Sequence, residues 1–194
     1  MILRRSFYLE QDACEAARSL LGKVIVTRIG GSVTAGLITE TEAYMGIDDR
    51  ASHAYGGKRT NRNEVMYARG GVAYVYICYG IHHLFNVVVH DTEVPHAVLI
   101  RAIRPLEGME AMLLRRPSAR DSTGGPGTLT QTLGISVQHN GEELTGKLIW
   151  IEDRGFVVRD RHILTGPRIG VAYAKEDALL PYRYRIAPSH LPLP

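Results

Sequence analysis

Two alternating runs separated by a pair of glycines constrain this chain more than any other feature. Residues 23–28 alternate, with Val24 and Val26 on one face. Gly30-Gly31 follows, and a second run extends over residues 33–43. Alternation is the period of a strand, and a Gly-Gly pair turns tightly at no steric cost. The fold is therefore expected to rest on antiparallel pairing. Further strands are expected over residues 72–78, 84–89, 98–103, 148–152, 169–173 and 182–186. Residues 79–82 form the turn of a second hairpin.

Helical spacing is weaker. Ala13, Ala16, Ala17, Leu20 and Leu21 predict an amphipathic helix over residues 10–21, with Gly22 as its stop. Residues 105–114 read as a helix with Pro105 in its first turn, and 128–133 as a short one. Residues 117–127 read as a flexible joint of Ser, Gly and Pro. Residues 45–71 form a long loop, and long ordered loops are often functional. With no internal repeat, the expectation is one α+β domain over residues 1–194. A curved, mainly antiparallel sheet carries flanking helices and a protruding β-hairpin.

A chain of 194 residues can bury well over half of its unfolded surface without a covalent staple. Cys14 and Cys78 make neither a disulfide framework nor a metal spacing, which fits a reducing compartment. No apolar run nears a membrane span, and no secretory leader is expected. His82 and His83 should point apart on a strand, and His90, Asp91 and His96 lack a fourth partner, so no metal is expected. No phosphate-binding loop, dinucleotide fingerprint or nucleophilic triad is visible.

Net charge is only +3, yet arginine outnumbers lysine 19 to 4. Guanidinium groups grip phosphate bidentately and stack on bases. Two clusters stand out: Arg50, Lys58, Arg59, Arg62 and Arg69, then Arg101, Arg104, Arg115, Arg116 and Arg120. A solvated surface has the same composition. Lys58, Arg59 and Arg62 of the first cluster, with Thr60 between them, are the candidate contacts to a DNA backbone.

The chemistry concentrates between Glu40 and Asn86. On a strand Glu40, Glu42 and Tyr44 share a face, with Thr41 and Ala43 on the other and Ile38 above. Tyr74 and Tyr76 likewise share a face, and with Tyr44 could make a slot for a planar base. Solvated acids and ordinary cross-strand packing produce the same patterns. Tyr79, beside a turn glycine, is expected to be exposed, as an aromatic wedge would be. His53 lies in the loop. Asn86 interrupts an apolar strand, where a buried amide must be hydrogen-bonded. Spacing alone does not choose between Glu40 and Glu42.

These residues resemble a known family. The pattern is Glu40-Thr41-Glu42-Ala43-Tyr44-x-Gly46, His53, Gly56-Gly57, Arg62-Asn63, Tyr74-Val75-Tyr76-x-x-Tyr79-Gly80 and Asn86. It continues with Arg101, Pro105-Leu106-Glu107-Gly108 and Gly166-Pro167-Arg168-Ile169-Gly170. Together they are similar to the alkyladenine (methylpurine) DNA glycosylases and cover nearly the whole chain. The segment between Asn86 and Arg101 is slightly long for the family, and the basic tail of some relatives is lacking.

The resemblance implies a monomeric excision enzyme of base-excision repair. It would flip alkylated or deaminated purines from double-stranded DNA: 3-methyladenine, 7-methylguanine, hypoxanthine and ethenoadenine. It would then hydrolyse the N-glycosidic bond without metal or cofactor, leaving an abasic site. It implies that Glu42 activates the water and Arg101 holds the water or a nearby phosphate. Tyr44, His53, Tyr76 and Asn86 line the base pocket, and Tyr79 fills the gap in the minor-groove side of the stack. No lysine adjoins the motif, so no Schiff-base lyase step is expected. Localisation would be cytoplasmic, at the nucleoid, in a bacterium and nuclear in a eukaryote. Two other readings are a lesion-binding module, which Glu42 argues against, and a nucleoside hydrolase. The second lacks its clustered aspartates here and leaves Tyr79 without a purpose.

Overall fold

The computed structural model describes residues 1–117 and 124–191. Among the described residues eight strands form one sheet: β1 (Val24–Ile29), β2 (Ser32–Tyr44), β3 (Ala73–Cys78), β4 (His82–Val89), β5 (His96–Glu107), β6 (Ile149–Glu152), β7 (Ile163–Gly166) and β8 (Arg183–Ile186). The order is β3-β4-β5-β2-β1-β6, and every strand pairing described is antiparallel. The sheet curls into a half-barrel, an α+β architecture as expected.

The spine is β2. Its first half pairs with β1 through the Gly30-Gly31 turn, where both glycines have positive φ. Residues Glu40 to Glu42 pair instead with β8, while β5 runs along its other edge. Four helices lie against the sheet or its ends: α1 (Arg5–Leu9), α2 (Ala13–Ser19), α3 (Met109–Arg115) and α4 (Pro126–Leu133). Asp12 caps α2 reciprocally with Glu15, which starts that helix at Ala13, the first residue of its apolar repeat, rather than at residue 10 as expected. Gly22, at φ 81°, ends the segment as expected. Ala13, Ala16, Ala17 and Leu20 meet Ile25, Ile38, Val98 and Ile100 in the main core. The Thr41 hydroxyl donates to the Ala17 carbonyl at 2.7 Å, so even the polar residue on that face is satisfied.

Register breaks decide which side chains face the helices. Along β2 and β5, Ile38 opposes Ile103, Glu40 opposes Ala102 and Thr41 opposes Ile100. Thr39 and Arg101 are therefore each one residue in excess, a pair of compensating bulges. Bulges re-aim side chains beside active sites. Here they let Ile38 and Ala43, an odd number of residues apart, share the helix side.

Two expectations fail. Pro105 does not open a helix: residues 105–107 belong to β5, Gly108 turns at φ 75°, and α3 starts at Met109. Pro105 sits opposite Gly36 at another register shift, where a strand tolerates a missing N–H. Residues 169–173 are not a strand either. The strand before β8 is β7, and Gly170 turns the chain at φ 78°. The Ile169 N–H is spent on a side chain rather than a ladder. The expected joint at 117–127 and Arg120 fall largely or wholly outside the described residues.

Of the glycines, Gly108 has the least room for a side chain. A Cβ there would lie 2.2 Å from the Val33 carbonyl oxygen, on top of its positive φ. At Gly30 nothing lies within 4 Å of the added Cβ. Gly30→Ala should thus cost only the left-handed penalty of about 1–2 kcal/mol. Gly108→Ala should cost clearly more, about 3 kcal/mol. Urea midpoints of the two variants against wild type measure the difference.

Candidate active site

A groove of about 960 Å³ opens between the β3–β4 hairpin, the 50–63 loop, the start of α4 and residues 169–173. Tyr44, His53, Tyr76, Leu99, Arg101 and Ile169 are among its walls. At its deep end lies a slot of about 40 Å³ shared by Tyr44, His53, Tyr74, Tyr76, Asn86 and Tyr173.

Directly beneath Tyr44, Arg101 and Ile169 sits Glu42, with a fully buried side chain. The Tyr44 hydroxyl donates to its Oε2 at 3.0 Å. The Ile169 N–H donates to Oε1 at 2.8 Å, and Arg101 Nη1 lies 3.3 Å from that oxygen. Burial pushes the Glu42 carboxyl above its ordinary range; Arg101, the Ile169 N–H and the Tyr44 hydroxyl pull the other way. The net shift is upward, with burial outweighing the three groups that favour the ion. Oε2 accepts one hydrogen bond among the described residues, from the Tyr44 hydroxyl.

Glu40 is placed differently. Its Oε1 accepts from Arg101 Nε at 3.1 Å and from Arg183 Nη1 at 3.3 Å. The strand face read from alternation is thus real, but its two acids have separate surroundings. Arg101 bridges them because the bulge turns it toward both.

The aromatic residues also converge. Tyr74 and Tyr76 lie 5.3 Å apart, and His53 meets Tyr76 edge-on at 4.6 Å. Tyr74 is buried, so Tyr44 and Tyr76 are the walls offered to a ligand. The Tyr74 hydroxyl lies 2.7 Å from His53 Nδ1. Asn63 holds the loop from beneath, donating to the carbonyls of His53 and Lys58 at 3.0 and 2.8 Å. Burial, helped by Arg62 and Lys58, pushes the His53 pKa down to about 4. Asn86 is buried in the slot and donates to the Tyr74 carbonyl at 3.0 Å. Tyr79 is 86% exposed at the hairpin tip, at φ 51°.

The basic residues divide. Lys58, Thr60 and Arg62 line the groove, and Arg62 covers the Tyr76 ring. Arg59 does not line it: Glu64 and Glu93 hold its guanidinium, with Nε–Glu64 at 2.9 Å and Nη1–Glu93 at 2.6 Å. Arg50 lines the groove but pairs with Glu176, and Arg115 donates to the Ile29 carbonyl at 2.8 Å inside the fold. Part of the arginine excess is therefore structural.

Sequence reasoning missed three contributors. Tyr173 lines both the groove and the slot. The Ile169 N–H is a backbone group with no signature in sequence. Asp49 and Arg168 form a buried pair behind Tyr44. Only the last has a possible signal, an acid and an arginine each inside glycine-bearing loops.

A deep carboxylate under an aromatic slot, opening on a partly basic groove with an exposed tyrosine at its lip, describes an enzyme that handles bases of nucleic acid. Comparison with known proteins makes the class specific. The model of the family described as Methylpurine-DNA glycosylase (MPG) matches residues 6–190. A protein of Chlamydia abortus is 46% identical over 187 residues, covering 94% of this chain and 97% of its own. One of Desulfitobacterium hafniense is 42% identical over 197 residues, 96% of each chain. One of Bacillus cereus is 42% identical over 193 residues, 92% of each. All three carry the name "Putative 3-methyladenine DNA glycosylase". The chain belongs to the methylpurine-DNA glycosylase family. It is a DNA N-glycosylase, a hydrolase of DNA repair whose substrate is DNA. No described helix is long and apolar enough to cross a membrane.

The His53 shift has a measurable consequence. Its folded pKa lies below the 6.5 of a free imidazole. Between pH 6.5 and 4 the unfolded chain binds the proton that the folded one refuses, so stability falls as pH drops through that window. The loss should be on the order of 2 kcal/mol, allowing for partial exposure. NMR titration of the His53 ring should show a midpoint near 4. A midpoint near 6.5 would contradict the burial argument.

Proposed function

We propose that this chain removes 3-methyladenine, 7-methylguanine, hypoxanthine and ethenoadenine from double-stranded DNA, acting as a monomer with no lyase step. Its relatives are bacterial, which supports action at the nucleoid of a bacterial cell. The observation that carries the reading is Glu42: buried, raised in pKa, and gripped from three sides by Tyr44, Ile169 and Arg101, all of which line the groove.

Tyr79 enters the stack from the minor groove and fills the space of the flipped nucleotide, an extrusion that costs a few kcal/mol. The lesion stacks between Tyr44 and Tyr76, worth about 1–3 kcal/mol per aromatic contact. Alkylation at N3 or N7 makes the purine cationic, which strengthens its hold on the rings and makes it a better leaving group. In the tautomer with the proton on Nε2, neutral His53 accepts from the Tyr74 hydroxyl at Nδ1 and presents a donor toward the nucleotide. Asn86 crowds the position of a guanine 2-amino group.

Glu42 takes a proton from water as the water oxygen bonds to C1′ and the C1′–N bond breaks. The bonding pair leaves with the purine, and the sugar passes through an oxocarbenium-like transition state. A cationic lesion leaves neutral. Hypoxanthine must first be protonated, so its excision is slower. Arg101 orients water and carboxylate, and Glu40 holds Arg101 in place. Lys58, Thr60 and Arg62 meet the DNA backbone; Arg59, tied to two glutamates, does so only if those pairs open.

Single-turnover excision on duplexes carrying one 7-methylguanine or one hypoxanthine tests the reading. Glu42→Gln should lower the rate about 10²–10⁴-fold with DNA binding retained. The wild-type rate should fall on acidification, with a midpoint above the ordinary glutamate range, because the base must be ionised. Equal activity in both proteins would move the base to Glu40. Tight binding without base release by wild type would favour a lesion-binding module.

A further inference from the structure

Behind the Tyr44 wall lies an ion pair that the mechanism above does not use. The side chains of Arg168 and Asp49 are 0% and 1% exposed. They form a two-pronged contact, with Arg168 Nη2 donating to Asp49 Oδ1 at 2.8 Å and Nη1 to Oδ2. Keeping two charges out of water is expensive, and a well-packed apolar pair often serves stability as well. A stability role therefore explains this pair poorly.

Its connections point to the site. Arg168 Nη1 donates to the Ala43 carbonyl at 2.9 Å, between Glu42 and Tyr44, and Nη2 to the Asp177 carbonyl at 3.2 Å. Asp49 also accepts from the N–H groups of Met45 and Ala51, at 3.0 and 2.9 Å. The guanidinium lies 4.9 Å from the centre of the Tyr44 ring and 5.2 Å from that of Tyr182. The next residue, Ile169, donates its N–H to Glu42 at 2.8 Å. Four chain segments thus meet on one guanidinium, one peptide away from the proposed base.

We propose that Arg168 and Asp49 are positioning residues for base excision: their buried pair clamps the 168–171 segment onto the end of β2. The clamp sets both the backbone N–H that holds the Glu42 carboxylate and the rear support of the Tyr44 wall. This rests on Glu42 being the general base. The charged and titratable groups around Glu42 are Arg101 from β5, Glu40 and Tyr44 from its own strand, Arg183 from β8 through Glu40, and Arg168 itself. Arg168→Lys keeps the cation but loses the planar fork, so any change it causes at Glu42 comes from lost positioning.

The test reads Glu42 directly. Carbon-13 NMR of glutamate-labelled full-length protein, with the Glu42 signal assigned by its loss in Glu42→Gln, gives the carboxyl midpoint without any substrate. In Arg168→Lys the midpoint should move to higher pH, because a hydrogen bond to the ionised form is lost. Single-turnover excision of 7-methylguanine should fall about 10–100-fold, its acid limb moving with the NMR midpoint. Affinity for abasic-site DNA should stay within about threefold. If Arg168→Lys does not fold, the double variant Arg168→Met, Asp49→Leu removes both charges and leaves neither unpaired, and the same shift is expected. A folded variant with an unmoved Glu42 midpoint overturns the proposal. So does a rate loss that is uniform in pH and matches a loss of binding. A wild type that excises nothing sinks the functional reading but leaves the NMR result to judge this one.

Discussion

One extra residue in each of two paired strands, Thr39 in β2 and Arg101 in β5, reverses the pleat in the middle of the sheet, and the active site depends on it. Strict alternation would put Ile38, Glu40 and Glu42 on one face. Either the carboxylates would enter the helix-side core or Ile38 would be lost from it. With the bulges, Ile38 and Ile103 stay in the core, as do Ile100 and Ala43 further along. The acids face the groove side, and Arg101 turns to meet both. The bulges are thus the local solution to placing charge and core on one continuous strand.

Once the acids face that side, burial does the tuning. A carboxylate with no solvent exposure would surrender its charge unless something favoured the ion. Arg101, the Ile169 N–H and the Tyr44 hydroxyl do so in part, and the shift remains upward. The same logic acts with opposite sign on His53, whose burial beside Arg62 and Lys58 keeps it neutral. A carboxylate raised and a histidine lowered are two outcomes of burial. The rim differs: Tyr79, Ile81 and Lys58 are exposed, on a hairpin and a loop that face solvent.

Much of this arrangement was legible in the sequence because it follows local periodicity. Alternation put Glu40, Glu42 and Tyr44 on one face, and Tyr74 beside Tyr76. The turn glycine marked Tyr79 as exposed, and Asn86 stood out as an amide in an apolar strand. The placement of Ile38 beside Ala43 proved right for a reason alternation does not contain, the bulge. Pro105 misled because a proline suits the first turn of a helix and an irregular strand position equally, and tertiary pairing with β2 decided between them. Ile169 and Tyr173 misled because an apolar alternating run also occurs where the chain wraps a site in turns. The Asp49–Arg168 pair spans 119 residues, and the Ile169–Glu42 hydrogen bond 127. Neither leaves a periodic trace.

Those long-range contacts matter because excision requires two things of one scaffold. Under the proposed mechanism the Glu42 carboxylate must be held to fractions of an ångström, since catalysis acts on the difference between ground and transition state. The enzyme must also admit its DNA substrate and let the product go. The chain separates these demands by depth. Glu42 is anchored to a backbone N–H and an adjacent strand, and Tyr44 is backed by an arginine that is itself locked by an aspartate. The groove rim carries exposed side chains, Tyr79, Ile81 and Lys58 among them. A substitution at the rim should alter which duplexes are engaged, whereas one in the buried layer should alter how fast an engaged base is released.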